Sequence, residues 1–79
     1  MPKRKADIEV GRRAYKECDR IFGVSEYGGI IKARKALGCN QKAIYSWRDG
    51  TTPATFCLIR LHYCGADVMY ILTGARKNG

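Results

Sequence analysis

The chain has 79 residues, of which 46% are hydrophobic and 28% charged, and its formal net charge at pH 7 is +8. This length allows at most one domain, and the apolar content is too high for a disordered tail. No apolar run approaches the roughly 20 residues of a membrane span, and none follows the basic start, so we predict no membrane segment and no secretory signal, and expect a cytoplasmic protein.

The positive charge is concentrated in two parts of the chain. Residues 1–5 carry a charge of +3, and we predict a basic N-terminal arm there, followed by one domain over 6–74 and a short tail over 75–79. Residues 27–48 hold five basic side chains and no acidic one. Such a concentration of charge favours a polyanionic partner over a general role in solubility.

Two helices are predicted in the first half of the chain. The first covers about 7–22, with Asp7 as N-cap and Gly23 after its end. The second is expected to start near Ser25 as N-cap and to end at Leu37. The apolar residues at helical spacing that support the two helices are Ala14, Cys18 and Ile21 in the first, and Ile30, Ala33 and Leu37 in the second.

Three shorter helices are predicted after them. The third runs from an Asn40 N-cap to about Asp49, and Ile44 and Trp47 are expected to anchor it to the core. The fourth is expected to start with a cap at Thr52 and a first-turn Pro53. The apolar stripe of the fourth helix comprises Ala54, Cys57, Leu58, Leu61 and Cys64. The fifth runs from an Asp67 cap to Gly74, which completes an all-α fold of five helices.

The sequence contains no pattern that predicts catalysis, a cofactor or a metal. There is one histidine, His62, which we interpret as a surface residue, and no Ser/His/Asp set or phosphate-binding glycine loop. The four cysteines form no C-x-x-C pair and fit no zinc spacing. Two disulfides are the alternative, but without a secretory signal we favour free, buried, apolar thiols. We therefore predict that the protein is not an enzyme.

The stretch 36–47 carries the functional prediction. Gly38 permits the positive φ of a tight turn between two helices, and Asn40 caps the helix after it. With Ile44 and Trp47 facing the core, the remaining face of the third helix is polar and free of acids. That face comprises Gln41, Lys42, Tyr45, Ser46 and Arg48. These side chains are of the kinds that contact bases and phosphates.

Two patterns in the chain resemble the lambda-repressor-like superfamily of helix-turn-helix domains, the Cro and phage-repressor type. One is A-L-G-x-N-Q-x-x-I-x-x-W-x-x-G over 36–50. The other is P-x4-L-x-R-L-x3-G-x-D-V-x-Y-I-L-T-G over 53–74, which resembles the end of short prophage repressor-like proteins. The resemblance implies a compact five-helix DNA-binding domain in which the third helix, about 40–49, lies in the major groove of double-stranded DNA.

The function that the resemblance implies is sequence-specific DNA binding as a bacterial or prophage transcription regulator, a repressor acting at the nucleoid. Gln41, Lys42 and Ser46 take the positions that face bases, and Tyr45 and Arg48 take positions nearer the backbone, although Tyr45 has the alternative of covering the helix edge. The arm has the alternative of being only a solvated tail. The predicted DNA-binding residues are Lys3, Arg4, Lys5, Lys32, Asn40, Gln41, Lys42, Tyr45, Ser46 and Arg48.

The second helix departs from the family pattern at two positions. Ile30 stands where the family often has a glutamine that touches phosphate. Arg34 stands where a small residue, usually alanine, packs between the two helices. Because an arginine is hard to bury, we expect Ala33 to take over that packing.

Two other functions compete with specific DNA binding. A protein-interaction regulator on the same fold, an antitoxin or an anti-repressor, would not need the acid-free surface over 27–48. A nonspecific nucleic-acid binder would not need Gln41, whose amide can pair with adenine. With no second domain expected, a dimer on a palindromic operator must use this domain's own surface. The apolar residues that exceed one core face, and that predict a weak homodimer through helices four and five, are Phe56, Ile59, Tyr63 and Met69.

Overall fold

The computed structural model describes residues 5–75, which form five helices and no strand. The helices are α1 (Lys5–Phe22), α2 (Gly29–Leu37), α3 (Gln41–Arg48), α4 (Thr55–Tyr63) and α5 (Val68–Thr73). The all-α prediction with five helices is confirmed for this part of the chain. None of the described helices is both long enough and apolar enough to cross a membrane.

The longest helix, α1, is the centre of the fold, since it packs against α2, α3 and α5. Ala14 and Cys18 on its inner face are fully buried, as their spacing predicts. Ile44 and Trp47 of α3 are also buried, which confirms them as anchors. The core of the domain consists of Ala14, Cys18, Val24, Ala33, Leu37, Ile44, Trp47, Cys57, Leu61, Ala66 and Ile71.

Two of the predicted helix caps are confirmed. The Asn40 side-chain oxygen accepts a hydrogen bond from the Ala43 N–H at 2.8 Å, so α3 begins where the sequence places it. The Asp67 carboxylate accepts from the Tyr70 N–H at 3.0 Å and caps α5 in the same way. Both bonds link residues three apart, and each satisfies one of the N–H groups that a helix start leaves unpaired.

The predicted starts of three helices are wrong. Ser25 does not cap α2: its N–H and hydroxyl both donate to Asp19 Oδ1 at 2.8 Å, which holds Ser25 in the turn after α1, and α2 begins four residues later at Gly29. In α4 the cap is Ala54 rather than Thr52, and the predicted first-turn proline lies buried in the loop before it. The first helix starts at Lys5, earlier than predicted, so that Asp7 lies inside its first turn.

A buried carboxylate on α1, which the sequence patterns do not reveal, holds α5 in place. Glu17 is 0% exposed; its two carboxylate oxygens accept from Arg20 at 3.0 and 2.9 Å, and one also accepts from the Asp67 N–H at 2.8 Å. At the other end of α5, Arg13 Nε donates to the Ile71 carbonyl at 3.0 Å. Helix α1 therefore fixes both ends of α5 with polar bonds between residues 50 and 58 positions apart in the sequence.

All four cysteines are free thiols. Cys18 and Cys57 are buried and Cys39 and Cys64 are partly buried, which agrees with their prediction as small apolar side chains. Burial raises the pKa of Cys18 to about 12 and that of Cys57 to about 11. These two groups are therefore protonated at neutral pH and are poor nucleophiles.

Candidate functional site

A three-residue turn joins α2 to α3 and places the candidate site. Gly38 has φ 67°, as predicted, and its N–H donates to the Arg34 carbonyl at 2.8 Å, which closes the last turn of α2. Leu37 before the turn and Ile44 after it are both fully buried. Because core side chains hold both helices at the turn, α3 keeps a fixed face toward solvent.

An arginine from α4 supports the same turn. Arg60 NH1 donates to the Leu37 carbonyl at 2.9 Å, and its guanidinium carbon lies 5.3 Å from the centre of the Phe56 ring. The cation thus lies at the C-terminal end of α2, where the partial charge of the helix is negative. A Cβ on Gly38 would come within 1.9 Å of the same guanidinium nitrogen, so a larger residue would displace the Arg60 side chain, and the positive φ favours glycine independently.

The exposed side of α3 is polar, and its members differ in how freely they can bind. Asn40, Gln41, Lys42 and Arg48 are exposed, whereas Tyr45 and Ser46 are half-buried. The Ser46 hydroxyl donates to the Ala43 carbonyl at 2.5 Å, which leaves its oxygen lone pairs as acceptors for a ligand. The structure therefore brings the predicted residues of α3 onto one surface, with Gln41 and Lys42 at its N-terminal end.

Helix α2 adds positive charge beside α3. The burial of its residues also shows which face of α2 packs against the core. Lys32, Arg34 and Lys35 are all exposed, while Ala33 is fully buried. The expectation that Ala33 takes the packing position is confirmed, because an arginine there would lose its hydration without a partner. Ile30 is half-buried against the core rather than pointing to solvent as a polar contact would. Lys5 is exposed at the start of α1, whereas Lys3 and Arg4 lie outside the described residues.

At its C-terminal end, α3 is joined to α1 by an aromatic cluster that the sequence analysis missed. The Arg48 guanidinium carbon lies 5.8 Å from the ring centre of Tyr15 and 5.3 Å from that of Tyr45. The two ring centres are 6.5 Å apart, with the planes inclined at 41°. Tyr45 thus does cover the edge of its helix. Periodicity could not reveal the cluster, because Tyr15 lies on a different helix from Tyr45 and Arg48 and at least 30 residues before them.

A second surface, on α4 and α5, is apolar and exposed. A groove there is lined by Thr55, Leu58, Ile59, His62, Tyr63, Val68 and Leu72. The predicted surplus of apolar side chains is confirmed, since all four predicted members are exposed and Tyr63 retains 83% of its accessible surface. His62 is exposed, as predicted, and its ring centre lies 5.6 Å from that of Tyr63. The groove lining contains no lysine, arginine, aspartate or glutamate.

No group of three or more His, Cys, Asp or Glu side chains within residues 5–75 is arranged to hold a metal ion. The strongest features of this part of the chain are instead the basic, hydrogen-bonding surface of α2 and α3 and the apolar groove on α4 and α5. The sequence matches no protein-family model, and comparisons with curated proteins and with solved structures give no match.

Proposed function

We propose that this chain is a helix-turn-helix domain that binds double-stranded DNA in a sequence-specific manner and acts as a transcription regulator, a repressor of bacterial or prophage type. The observation that carries the proposal is the exposed face of α3, which is polar and acid-free and is held by buried anchors on its other side. A rigid helix with base-reading side chains on its free face suits insertion into the major groove.

The charges around this face support a polyanionic ligand. Lys32 and Lys35 of α2 and Lys42 of α3 are exposed, and no acidic residue occurs over 27–48. Cations on the helix before the turn are placed to hold phosphates while α3 reads base edges. The long-range part of binding is then electrostatic, and affinity falls by roughly 0.9 log units per log unit of salt for each phosphate that is neutralised.

Gln41 distinguishes a sequence-specific protein from a general polyanion binder. Its exposed amide, in the first turn of α3, has the donor and acceptor needed to bind N6 and N7 of adenine together. We expect Gln41→Ala to weaken binding to the preferred duplex by about 1–3 kcal/mol and to change binding to a random duplex little. Fluorescence anisotropy with the two duplexes measures both quantities.

Arg48→Ala is the matched control for Gln41→Ala, because it removes a cation that we assign to phosphate and should weaken both duplexes nearly equally. Lys42→Ala and Ser46→Ala should act more on the preferred duplex. If Gln41→Ala left the preference between the two duplexes intact, the orientation proposed for α3 would be wrong.

The apolar surface of α4 and α5 favours a second proposal, that two copies of the chain associate there as a weak symmetric dimer. The groove lining is uncharged in a chain of net charge +8, so this face lets two copies meet with little cationic repulsion. The Cα trace measures 33 × 32 × 22 Å. The longer two of these extents are close to one turn of DNA, about 34 Å, which is the spacing at which a dimer places two recognition helices.

Ile59→Lys tests this dimer, because a two-fold interface would bring two added lysines together. We expect sedimentation equilibrium at high protein concentration to show reversible dimers of the wild type and monomers of the variant. Ile31→Lys on α2 is the control, since Ile31 and Ile59 are equally exposed, at 52%. A wild type that stays monomeric and binds DNA one-to-one would refute the dimer, and a stable complex with a different protein through this face would favour the antitoxin or anti-repressor alternative.

A further inference from the structure

We propose that Tyr15, Tyr45 and Arg48 form a binding site for one phosphate group of the DNA backbone, with Tyr15 as the residue that positions Arg48. This inference rests on the proposed function for its ligand. It extends the binding surface from α2 and α3 onto the part of α1 around Tyr15, where the sequence predicts no contact.

The geometry of the cluster leaves the guanidinium available to a ligand. Arg48 is exposed, while the two rings beneath it are half-buried and fixed by the packing of α1 on α3. The guanidinium carbon lies 5.3 and 5.8 Å from the two ring centres, close enough for cation–π attraction to restrain it, and a guanidinium has a planar set of N–H groups that matches two phosphate oxygens. Among the described residues no carboxylate forms an ion pair with Arg48, so its charge is not already neutralised within this part of the chain.

The electrostatics of Tyr15 agree with this arrangement. Burial raises the pKa of Tyr15, and the nearby Arg48 charge opposes the rise. Tyr15 is therefore a neutral phenol at physiological pH. A neutral ring attracts the guanidinium through its face without forming a salt bridge that a phosphate would have to displace.

The position of the cluster along α3 suits a contact with the phosphates that border the major groove. Gln41 and Arg48 are the first and last residues of α3, and a rise of 1.5 Å per residue separates their Cα atoms by roughly 10 Å. The major groove is about 12 Å wide. With the N-terminal end of α3 against base edges, its C-terminal end lies near the phosphates of one strand, and Arg48 is placed to contact them.

A double-mutant cycle on a random 20-base-pair duplex tests whether Tyr15 acts through Arg48. At low salt we expect Tyr15→Leu to weaken binding about three- to fivefold in the wild-type background, because the loss of one ring frees the guanidinium. In the Arg48→Ala background the same change should have no measurable effect. Arg48→Ala should also reduce the slope of log affinity against log salt by about 0.9.

Three controls make the cycle specific. Tyr15→Phe keeps the aromatic ring, so it should preserve the coupling to Arg48 that Tyr15→Leu removes. A parallel cycle with Lys32→Ala, an exposed α2 cation outside the cluster, should show equal effects of Tyr15→Leu in both backgrounds. In the free protein, NMR of the Arg48 Nε–Hε group should show an ordered side chain that becomes mobile in Tyr15→Leu, and the melting curve of that variant verifies that it is folded.

The outcomes separate this site from the function on which it rests. A wild type that binds the duplex while Tyr15→Leu acts equally with and without Arg48 overturns the site and leaves DNA binding standing. A wild type that binds no duplex overturns both. Coupling between Tyr15 and Arg48, together with an ordered Arg48 side chain in the free protein, supports the site.

Discussion

Replacing Glu17 by alanine is expected to lower the free energy of unfolding by about 2–4 kcal/mol, a large part of the stability of a domain this small. The change removes a fully buried carboxylate that binds Arg20 and the Asp67 N–H at once. It leaves an N–H at the start of α5 without that acceptor and a cavity beneath the helix. Because Glu17 fixes the start of α5, the groove on α4 and α5 should be disturbed as well.

Thermal unfolding followed by circular dichroism measures the effect of Glu17→Ala. At roughly 4–8 °C per kcal/mol for a domain of this size, the melting temperature should fall by more than about 8 °C. Glu17→Gln keeps an oxygen acceptor and nearly the same volume, so its loss should be smaller. The control is Glu9→Ala, which removes a more exposed carboxylate of the same helix and should change stability by less than about 0.5 kcal/mol. Equal effects at the two positions would contradict this role for Glu17.

Gly29→Ala is expected to destabilise the fold by about 3 kcal/mol, although alanine is the better helix former. A Cβ on Gly29 would lie 1.8 Å from the Gly23 carbonyl oxygen and 2.8 Å from the Phe22 oxygen, and both of these are backbone atoms. The start of α2 would have to move away from the end of α1. Since α2 carries the turn to α3, DNA affinity should fall along with stability.

The neighbouring glycine provides a matched control. Gly28 has φ 84°, but a Cβ there meets no atom within 4 Å. Gly28→Ala should therefore lose only the roughly 1–2 kcal/mol of left-handed backbone strain. Urea denaturation of the two variants measures the difference. A Gly29→Ala protein as stable as the wild type would show that α1 and α2 pack less closely than described.

The structural elements that the sequence predicts well are those defined by contacts between near neighbours. The starts of α3 and α5 follow from Asn40 and Asp67, each of which bonds an N–H three residues ahead. The start of α2 fails for the converse reason. Ser25 is an equally good cap by its chemistry, but its N–H and hydroxyl donate to Asp19, six residues earlier, and this holds it in a turn before the helix. A local pattern cannot show which of two competing partners a side chain will choose.

In the candidate site, too, the sequence predicts what depends on near neighbours and not what depends on distant residues. The exposed face of α3 follows from helical spacing alone, once Ile44 and Trp47 are assigned to the core. The contacts that support that face are between distant parts of the chain: Arg60 bonds the end of α2, and Tyr15 lies beside Arg48. Nothing in one sequence marks these pairs, because their members lie more than 20 residues apart and share no periodic pattern.

Selection of bound sequences from a pool of random DNA duplexes tests the proposal of sequence-specific DNA binding most directly, because it requires no prior assumption about the preferred sequence. We predict enrichment of a palindromic motif whose half-sites are about 10 base pairs apart, one turn of the double helix, and the loss of that enrichment in Gln41→Ala. A bound pool with the same composition as the starting pool would contradict sequence-specific recognition by α3.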